Sequence, residues 1–110
     1  MEKKEFDKST AFKFDDLVQY TADSIVSRTI LDKATGTITL FAFYKGQGLS
    51  EHTAPYDALV QIADGKALIV IDGKEHPLSK GDSIIMPANI KHAVRAVEDF
   101  KMILTMIKSA

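Results

Sequence analysis

Two histidines carry the chemistry that this sequence offers most clearly. His52 and His92 are separated by forty residues, and each follows a turn that begins with a glycine, Gly46 or Gly81. An imidazole can donate or accept a hydrogen bond, move a proton near neutral pH or bind a metal ion. If the fold brings the two rings together, the sequence predicts a polar site inside an otherwise apolar interior.

The elements that must position these histidines are predicted to be short β-strands. Alternating, β-branched and aromatic residues indicate strands at residues 24–31, 37–44, 57–63, 66–71, 74–78, 83–86, 92–97 and 100–107. Asp64-Gly65 is a hairpin signal, and Glu98-Asp99 is expected to join the last two strands. Residues 12–20 fit either a short strand with a turn or one helical turn. The pattern predicts eight to ten antiparallel strands in an all-β barrel or sandwich.

Length, charge and composition narrow the class of protein. The chain has 110 residues, which we divide into an N-terminal arm, residues 1–11, and a single domain, residues 12–110. A formal net charge of -1 leaves no basic excess for nucleic acid. The absence of cysteine excludes disulfides and thiolate metal sites. No apolar run is long enough for a membrane span, so we expect a cytoplasmic protein.

The spacing of the glycines, Pro87 and the two histidines resembles the two sequence motifs of the cupin superfamily. The first motif corresponds to GQGLSEHTAPYDALVQIADG at residues 46–65, and the second to GDSIIMPANIKHAVRA at residues 81–96. His52 and His92 fall at histidine positions of these motifs. The resemblance implies a cupin-type double-stranded β-helix, or jelly-roll barrel, of the kind found in small single-domain bacterial cupins. Such a fold hosts many different chemistries.

The sequence departs from the cupin motifs at positions that matter for chemistry. Metal-bearing cupins typically use three histidines and a carboxylate, but Ala54 and Ala58 stand where the second histidine and the glutamate are usual. Asn89 replaces a glycine, and Ala96 replaces an asparagine. Asp57 is adjacent to the glutamate position, but strand alternation predicts that its side chain points away from the lumen unless a bulge re-aims it.

Three functions remain open at this point. In the first, a small organic ligand binds in an apolar lumen around His52 and His92, with Tyr56 and Met86 as further ligand-binding residues. In the second, His52 and His92 hold a divalent metal such as iron, manganese, nickel or zinc in a reduced site of the oxygenase or isomerase type. The sequence does not decide whether the protein is an enzyme, and the histidines could also be only packed and hydrogen-bonded.

The third function is that of a non-catalytic interaction module. In this interpretation the protein is a homodimer, as the resemblance to small cupins implies, and the N-terminal arm adds to the sheet of a neighbour. An arm donated in this way would cover an exposed strand edge.

Overall fold

The computed structural model describes residues 6–108 and confirms the all-β prediction. A 3-10 turn at Phe14–Asp16 precedes the strands, so residues 12–20 contain the helical turn rather than a strand. The seven strands are β1 Ile25–Lys33, β2 Gly36–Phe43, β3 Gly48–His52, β4 Asp57–Ile71, β5 Lys74–Ser79, β6 Ser83–Met86 and β7 His92–Ile107. Over these residues no helix has the length and hydropathy needed to cross a bilayer.

Two long strands, β4 and β7, join all the others into one antiparallel sheet that folds into two layers. The first layer has the order β1-β2-β7-β4-β6 and uses the second half of β7 with the first half of β4. The second layer has the order β3-β7-β4-β5 and uses the other halves. Buried residues from both halves of each long strand pack into one core, which is the arrangement of a jelly-roll barrel.

The two long strands correct a prediction made from the sequence. Asp64-Gly65 does not form a hairpin, and Glu98-Asp99 does not separate two strands. Instead, β4 and β7 run through these positions side by side and bend there, with register shifts on both sides of Gly65. Gly65 has a φ of +75°, and a Cβ on it would lie 1.8 Å from the Asp99 carbonyl oxygen. Only glycine permits this close approach.

The bend defines one end of the barrel, which we call the bend end. There the rings of Phe43 and Phe100 stack with centroids 4.6 Å apart, and both side chains are fully buried. Val60, Ile69 and Met102 continue this core between the layers. The stacked rings fill the interior between the two layers near the bend.

A second, smaller core lies on the outer side of the first layer. Residues of the N-terminal segment pack against Leu40 and Ala42 of β2, and Val18 is the buried centre of this contact. Tyr20 Oη donates a hydrogen bond of 2.6 Å to Asp64 Oδ2 at the bend. Burial, and then this hydrogen bond, raise the pKa of Tyr20 far above its usual value. The segment is therefore fastened to the barrel by both apolar and polar contacts.

Residues 1–5 of the predicted arm lie outside the described residues. Within the rest of the arm, Phe6 packs against Phe12 with ring centroids 5.1 Å apart. The guanidinium of Arg28, on β1 of the same chain, lies 4.7 Å from the Phe6 ring centroid. This part of the arm lies against its own barrel, whereas its predicted addition to a neighbouring sheet remains a prediction.

Candidate functional site

His52 and His92 meet at the end of the barrel opposite the bend, which we call the histidine end. His92 begins β7 and His52 ends β3, and the two residues are direct register partners. His92 precedes the Asp99 bend by seven residues, and Met106 follows it by seven. Because β7 folds back at the bend, both positions lie at the same end of the two layers. The predicted convergence of the two histidines is confirmed.

A β-bulge places the His52 ring on the inner side of the sheet. Leu49 pairs with Val94, and three residues later His52 pairs with His92, so two residues of β3 oppose one residue of β7. Without the extra residue, strand alternation would put Leu49 and His52 on opposite faces. Leu49 packs against the main core. The bulge therefore re-aims His52 onto the same face as the buried His92.

The two imidazoles are held with their Nε2 atoms facing each other. His52 Nδ1–H donates to the Ser50 carbonyl oxygen at 2.7 Å, and His92 Nδ1–H donates to the Ile90 carbonyl oxygen at 3.3 Å. A carbonyl oxygen can only accept, so each neutral ring carries its proton on Nδ1. The two Nε2 atoms are 3.1 Å apart, and the rings meet edge to face with centroids 4.4 Å apart.

This arrangement points two lone pairs at one position, and it requires a proton, a cation or a ligand donor there. His92 is 7% exposed, whereas His52 is exposed. Burial lowers the pKa of His92, and the neighbouring His52 lowers it further, against the opposing effect of the Ile90 carbonyl. His92 is therefore the neutral acceptor of the pair.

The loops at the histidine end are joined by backbone contacts. Asn89 N–H donates to the Ala54 carbonyl oxygen at 2.7 Å, and Ala88 N–H donates to Asp57 Oδ1 at 2.8 Å. Asn89 has a φ of 65°, in the left-handed region where glycine is favoured and asparagine is tolerated. Asn89 thus adopts a backbone conformation that a glycine at this position of the motif could also adopt. Asp57 holds this turn from the outer face, as strand alternation predicted.

The other predicted ligand-binding residues lie on the opposite layer. Met86 is 4% exposed and pairs with Ala58, which is also 4% exposed, so both line the inner face of the first layer. Tyr56 is half-buried just before β4, with its ring 5.7 Å from Lys108 Nζ. Their part in ligand binding stays a prediction.

The donor set bears on whether a metal ion fits between the histidines. In residues 6–108 no group of three or more histidine, cysteine, aspartate or glutamate side chains is arranged to hold a metal. Catalytic zinc sites use three protein ligands and structural sites four. Two imidazoles alone do not fit a tightly held resident ion, because Ala54 and Ala58 supply no donor side chain.

One feature near the site could not be found from the sequence, and one residue lies differently from the expectation. The bulge that aims His52 has no local signal, because Ser50 and Glu51 are unremarkable strand residues. His76 was expected at the surface. Instead, this β5 residue is half-buried and pairs with the fully buried Ile69 of β4. Strand alternation between His76 and Leu78 was the available signal for this inward face.

Comparisons with known proteins agree with this architecture. The structure is similar to that of the conserved SPY1581 protein of unknown function from Streptococcus pyogenes, with a TM-score of 0.91, 34% identity and coverage of 97% of this chain and 94% of that chain. A cupin 2 conserved barrel domain protein from Leptotrichia buccalis has a TM-score of 0.82 and 41% identity, with coverage of 84% of this chain and 45% of that chain.

A curated relative is more distant. The polyketide synthase CurC of Streptomyces cyaneus is 30% identical over 78 residues, which are 66% of this chain and 51% of the relative. The chain thus spans about half the length of this protein. A sequence model described as a cupin domain matches residues 39–108, which include both histidines and every strand from β3 onward. With its folded double-layer sheet and its two motif histidines meeting at one end, this chain belongs to the cupin superfamily.

Proposed function

We propose that this cupin binds a small organic molecule at the histidine end of its barrel. The supporting observation is the pair of Nε2 atoms 3.1 Å apart, both on the inner face of the second layer, in rings whose Nδ1 atoms contact backbone carbonyl oxygens. A ligand hydroxyl or amine that donates to this pair removes the repulsion between two facing lone pairs. The ligand class is therefore a molecule with at least one hydrogen-bond donor.

The rest of the inner face at this end suits an apolar ligand body. Ala58 and Met86 on the first layer are buried, and Ile71 continues the row of His52 and His92 on the second layer. Ligand sites commonly combine mostly apolar walls with a few convergent polar groups. The relative named polyketide synthase is consistent with hydroxylated carbon skeletons as ligands. We therefore favour a largely apolar molecule that carries a hydroxyl or enol group.

Ligand screening by NMR tests this proposal. Simple phenols, enolisable diketones and aliphatic alcohols are added to ¹⁵N-labelled protein, and amide shifts at residues 50–54 and 90–94 are followed. We expect at least one donor-bearing compound to shift these amides in the wild type and not in His92→Ala. His76→Ala is the matched control, because it removes the third histidine of the chain and should leave binding intact. Equal binding by wild type and His92→Ala would contradict the proposal.

A metal-dependent activity is the second candidate, and one observation favours it. Two imidazoles bound to one ion at about 2.0–2.1 Å, in adjacent coordination positions, place their nitrogens about 2.9–3.4 Å apart. The observed Nε2 separation of 3.1 Å is in this interval. Both Nδ1 atoms also donate to backbone carbonyls, as metal-binding histidines usually do. An ion held here would supply Lewis-acid chemistry, with a ligand completing its coordination.

Thermal unfolding with added metals separates the two candidates. A tightly bound ion at 100 times its dissociation constant stabilises the folded state by about 2.7 kcal/mol. In a domain of this size, such a gain raises Tm by roughly 10 °C or more. Iron, manganese, nickel and zinc salts are compared on wild type, His52→Ala and His76→Ala. Because only two donors are present, we expect shifts well below this value, and a full shift that His52→Ala abolishes would favour the metal-dependent function.

A further inference from the structure

Two polar residues continue the ladder of β4 and β7 at the histidine end of the first layer. Asp57 pairs with Ile107 at the end of this ladder, so the next positions along the two strands hold Tyr56 and Lys108. Lys108 N–H donates to the Thr35 carbonyl oxygen at 2.8 Å, which keeps its backbone in line with β7. We call Tyr56 and Lys108 the mouth pair.

Strand alternation places the mouth pair on the inner side of the first layer. Ala58 and Met106 are register partners, and Ala58 is buried in the main core. Tyr56 and Lys108 each lie two residues from one of these partners, so their side chains face the same side. Both are half-buried, whereas the residues next to them in the ladder are exposed. Lys108 Nζ lies 5.7 Å from the Tyr56 ring centroid, so the two side chains lie together.

The mouth pair lies across the lumen from the two histidines. His52 ends β3 in the second layer, and residues 53–55 connect it to Tyr56, which precedes β4 in the first layer. Four residue steps span at most about 14 Å, which limits the distance between the Cα atoms of His52 and Tyr56. Packed layers are themselves about 10 Å apart. A molecule the size of a substituted benzene ring therefore spans the distance between the histidines and the mouth pair.

Lys108 brings a positive charge to this face without a carboxylate to balance it. Within residues 6–108 no ion pair includes Lys108, and neither its ammonium nor the Tyr56 hydroxyl donates a hydrogen bond to a protein group. The adjacent Asp57 carboxylate accepts a hydrogen bond from Ala88 N–H. Asp32 lies on β1, two strands or roughly 10 Å from β7. The mouth pair therefore has hydrogen-bond donors and a positive charge available to a ligand.

We propose that the mouth pair binds a carboxylate of the ligand whose hydroxyl or enol group contacts the histidines. This inference rests on the proposed function, because it concerns the other end of the same ligand. One ammonium balances the single negative charge of a carboxylate, and the Tyr56 hydroxyl can donate a second hydrogen bond to it. The ligand class is thus a hydroxy or enol carboxylic acid with an apolar body between its two polar ends.

Isothermal titration calorimetry with matched acids and esters tests for the carboxylate. The probes are 4-hydroxybenzoate, 3-(4-hydroxyphenyl)propionate and 6-hydroxyhexanoate, each compared with its methyl ester. The ester keeps the hydroxyl group and removes the charge. We expect wild type to bind at least one acid about 10-fold or more tightly than its ester, because hydrogen bonds to charged groups are stronger than those between neutral groups.

Substitutions of two lysines at the histidine end assign this preference to a residue. Lys108→Met should abolish the preference for the acid and leave the affinity for the ester unchanged, whereas Lys108→Arg keeps the charge and should retain a preference. Tyr56→Phe should reduce the preference by less, because the ammonium remains. Lys91→Met is the matched control, because Lys91 is exposed beside His92 and alternation directs it away from the inner face. It should retain the wild-type preference.

His92→Ala distinguishes a failure of this inference from a failure of the proposed function. It should weaken acid and ester alike, because it removes an acceptor that both probes use. If it does so but wild type binds acid and ester equally, the proposed function holds and the mouth pair does not bind a carboxylate. A preference that survives Lys108→Met, or that Lys91→Met lowers equally, would also overturn the inference. If no acid binds at millimolar concentration, both proposals fail.

Discussion

The two ends of the barrel are built from the same two long strands but differ in what their inner faces contain. At the bend end, Phe43 and Phe100 stack face to face and are fully buried. At the histidine end, the inner faces of the two layers carry Ala58 and the imidazoles of His52 and His92. One end is filled by large rings without polar atoms, whereas the other combines a small side chain with two imidazoles whose Nε2 atoms face each other.

This difference suggests that the bend end mainly stabilises the fold, whereas the histidine end mainly serves binding. Burial of aromatic rings contributes most per side chain to folding, and it leaves no group free to recognise a ligand. Facing imidazole lone pairs contribute little to folding, because their best partner is missing from the folded chain itself. We therefore expect substitutions at the bend end to change mainly the free energy of unfolding. Substitutions at the histidine end should change mainly what the protein binds.

The largest expected effect is at the bend end. Phe100→Ala removes a fully buried ring that stacks on Phe43. The free energy of unfolding should therefore fall by about 3–5 kcal/mol. His92→Ala should cost at most about 1.5 kcal/mol, the net contribution of an ordinary hydrogen bond. Urea denaturation of both variants measures the contrast. A larger loss for His92→Ala than for Phe100→Ala would reverse the assignment of the two ends.

The bend itself gives the next largest effect. Gly65→Ala places a Cβ 1.8 Å from the Asp99 carbonyl oxygen, at a φ of +75°. Gly73 is a matched control, because its φ is +80° but no atom lies within 4 Å of an added Cβ. The control therefore isolates the cost of the left-handed backbone, about 1–2 kcal/mol. Gly65→Ala should exceed that cost by at least about 2 kcal/mol in urea denaturation. Equal losses would show that the bend tolerates separation of its strands.

Substitutions in the turn beside the histidines should change the free energy of unfolding by less. Asn89 has a φ of 65°, so Asn89→Ala should cost about 1 kcal/mol and Asn89→Gly less than about 0.5 kcal/mol in either direction. Thermal unfolding monitored by circular dichroism is sufficient to distinguish the stabilities of these two variants. If Asn89→Gly is the more harmful change, the asparagine side chain has a role beyond the backbone conformation.

The smallest expected effect is a dependence of stability on pH. Burial lowers the pKa of His92 below its ordinary value of 6.5, so the unfolded chain binds a proton at a higher pH than the folded chain does. This contribution to stability is present above pH 6.5 and is lost as pH falls through the folded pKa. On acidification, the wild type should therefore lose more unfolding free energy than His92→Gln does. The difference between wild type and Met86→Leu, a substitution that does not titrate, should stay constant.

Local sequence patterns predicted most strand positions because burial on one face imposes an alternation of side chains. The strand predicted at residues 83–86 coincides with β6, and that at 37–44 differs from β2 by one residue at each end. The bend at Gly65 was mistaken for a hairpin because Asp-Gly serves both structures. Which one forms depends on pairing between β4 and β7, and this pairing is not visible in either segment alone.

The candidate site was predictable in its residues but not in its geometry. His52 and His92 were identified from their spacing within the two motifs, and the fold brings them together. The bulge at Ser50 and Glu51 and the direction of both Nδ1 protons depend on backbone atoms, which side-chain patterns do not report.

Direct observation of the imidazole protons tests the central claim, that both rings present an unprotonated Nε2 to the same position. Long-range ¹⁵N–¹H correlation spectra of the wild type at neutral pH identify the tautomer of each histidine ring. We predict that His52 and His92 both carry their proton on Nδ1, and that adding a donor-bearing ligand shifts both Nε2 resonances together. An Nε2–H tautomer in either ring of the ligand-free protein would contradict this account.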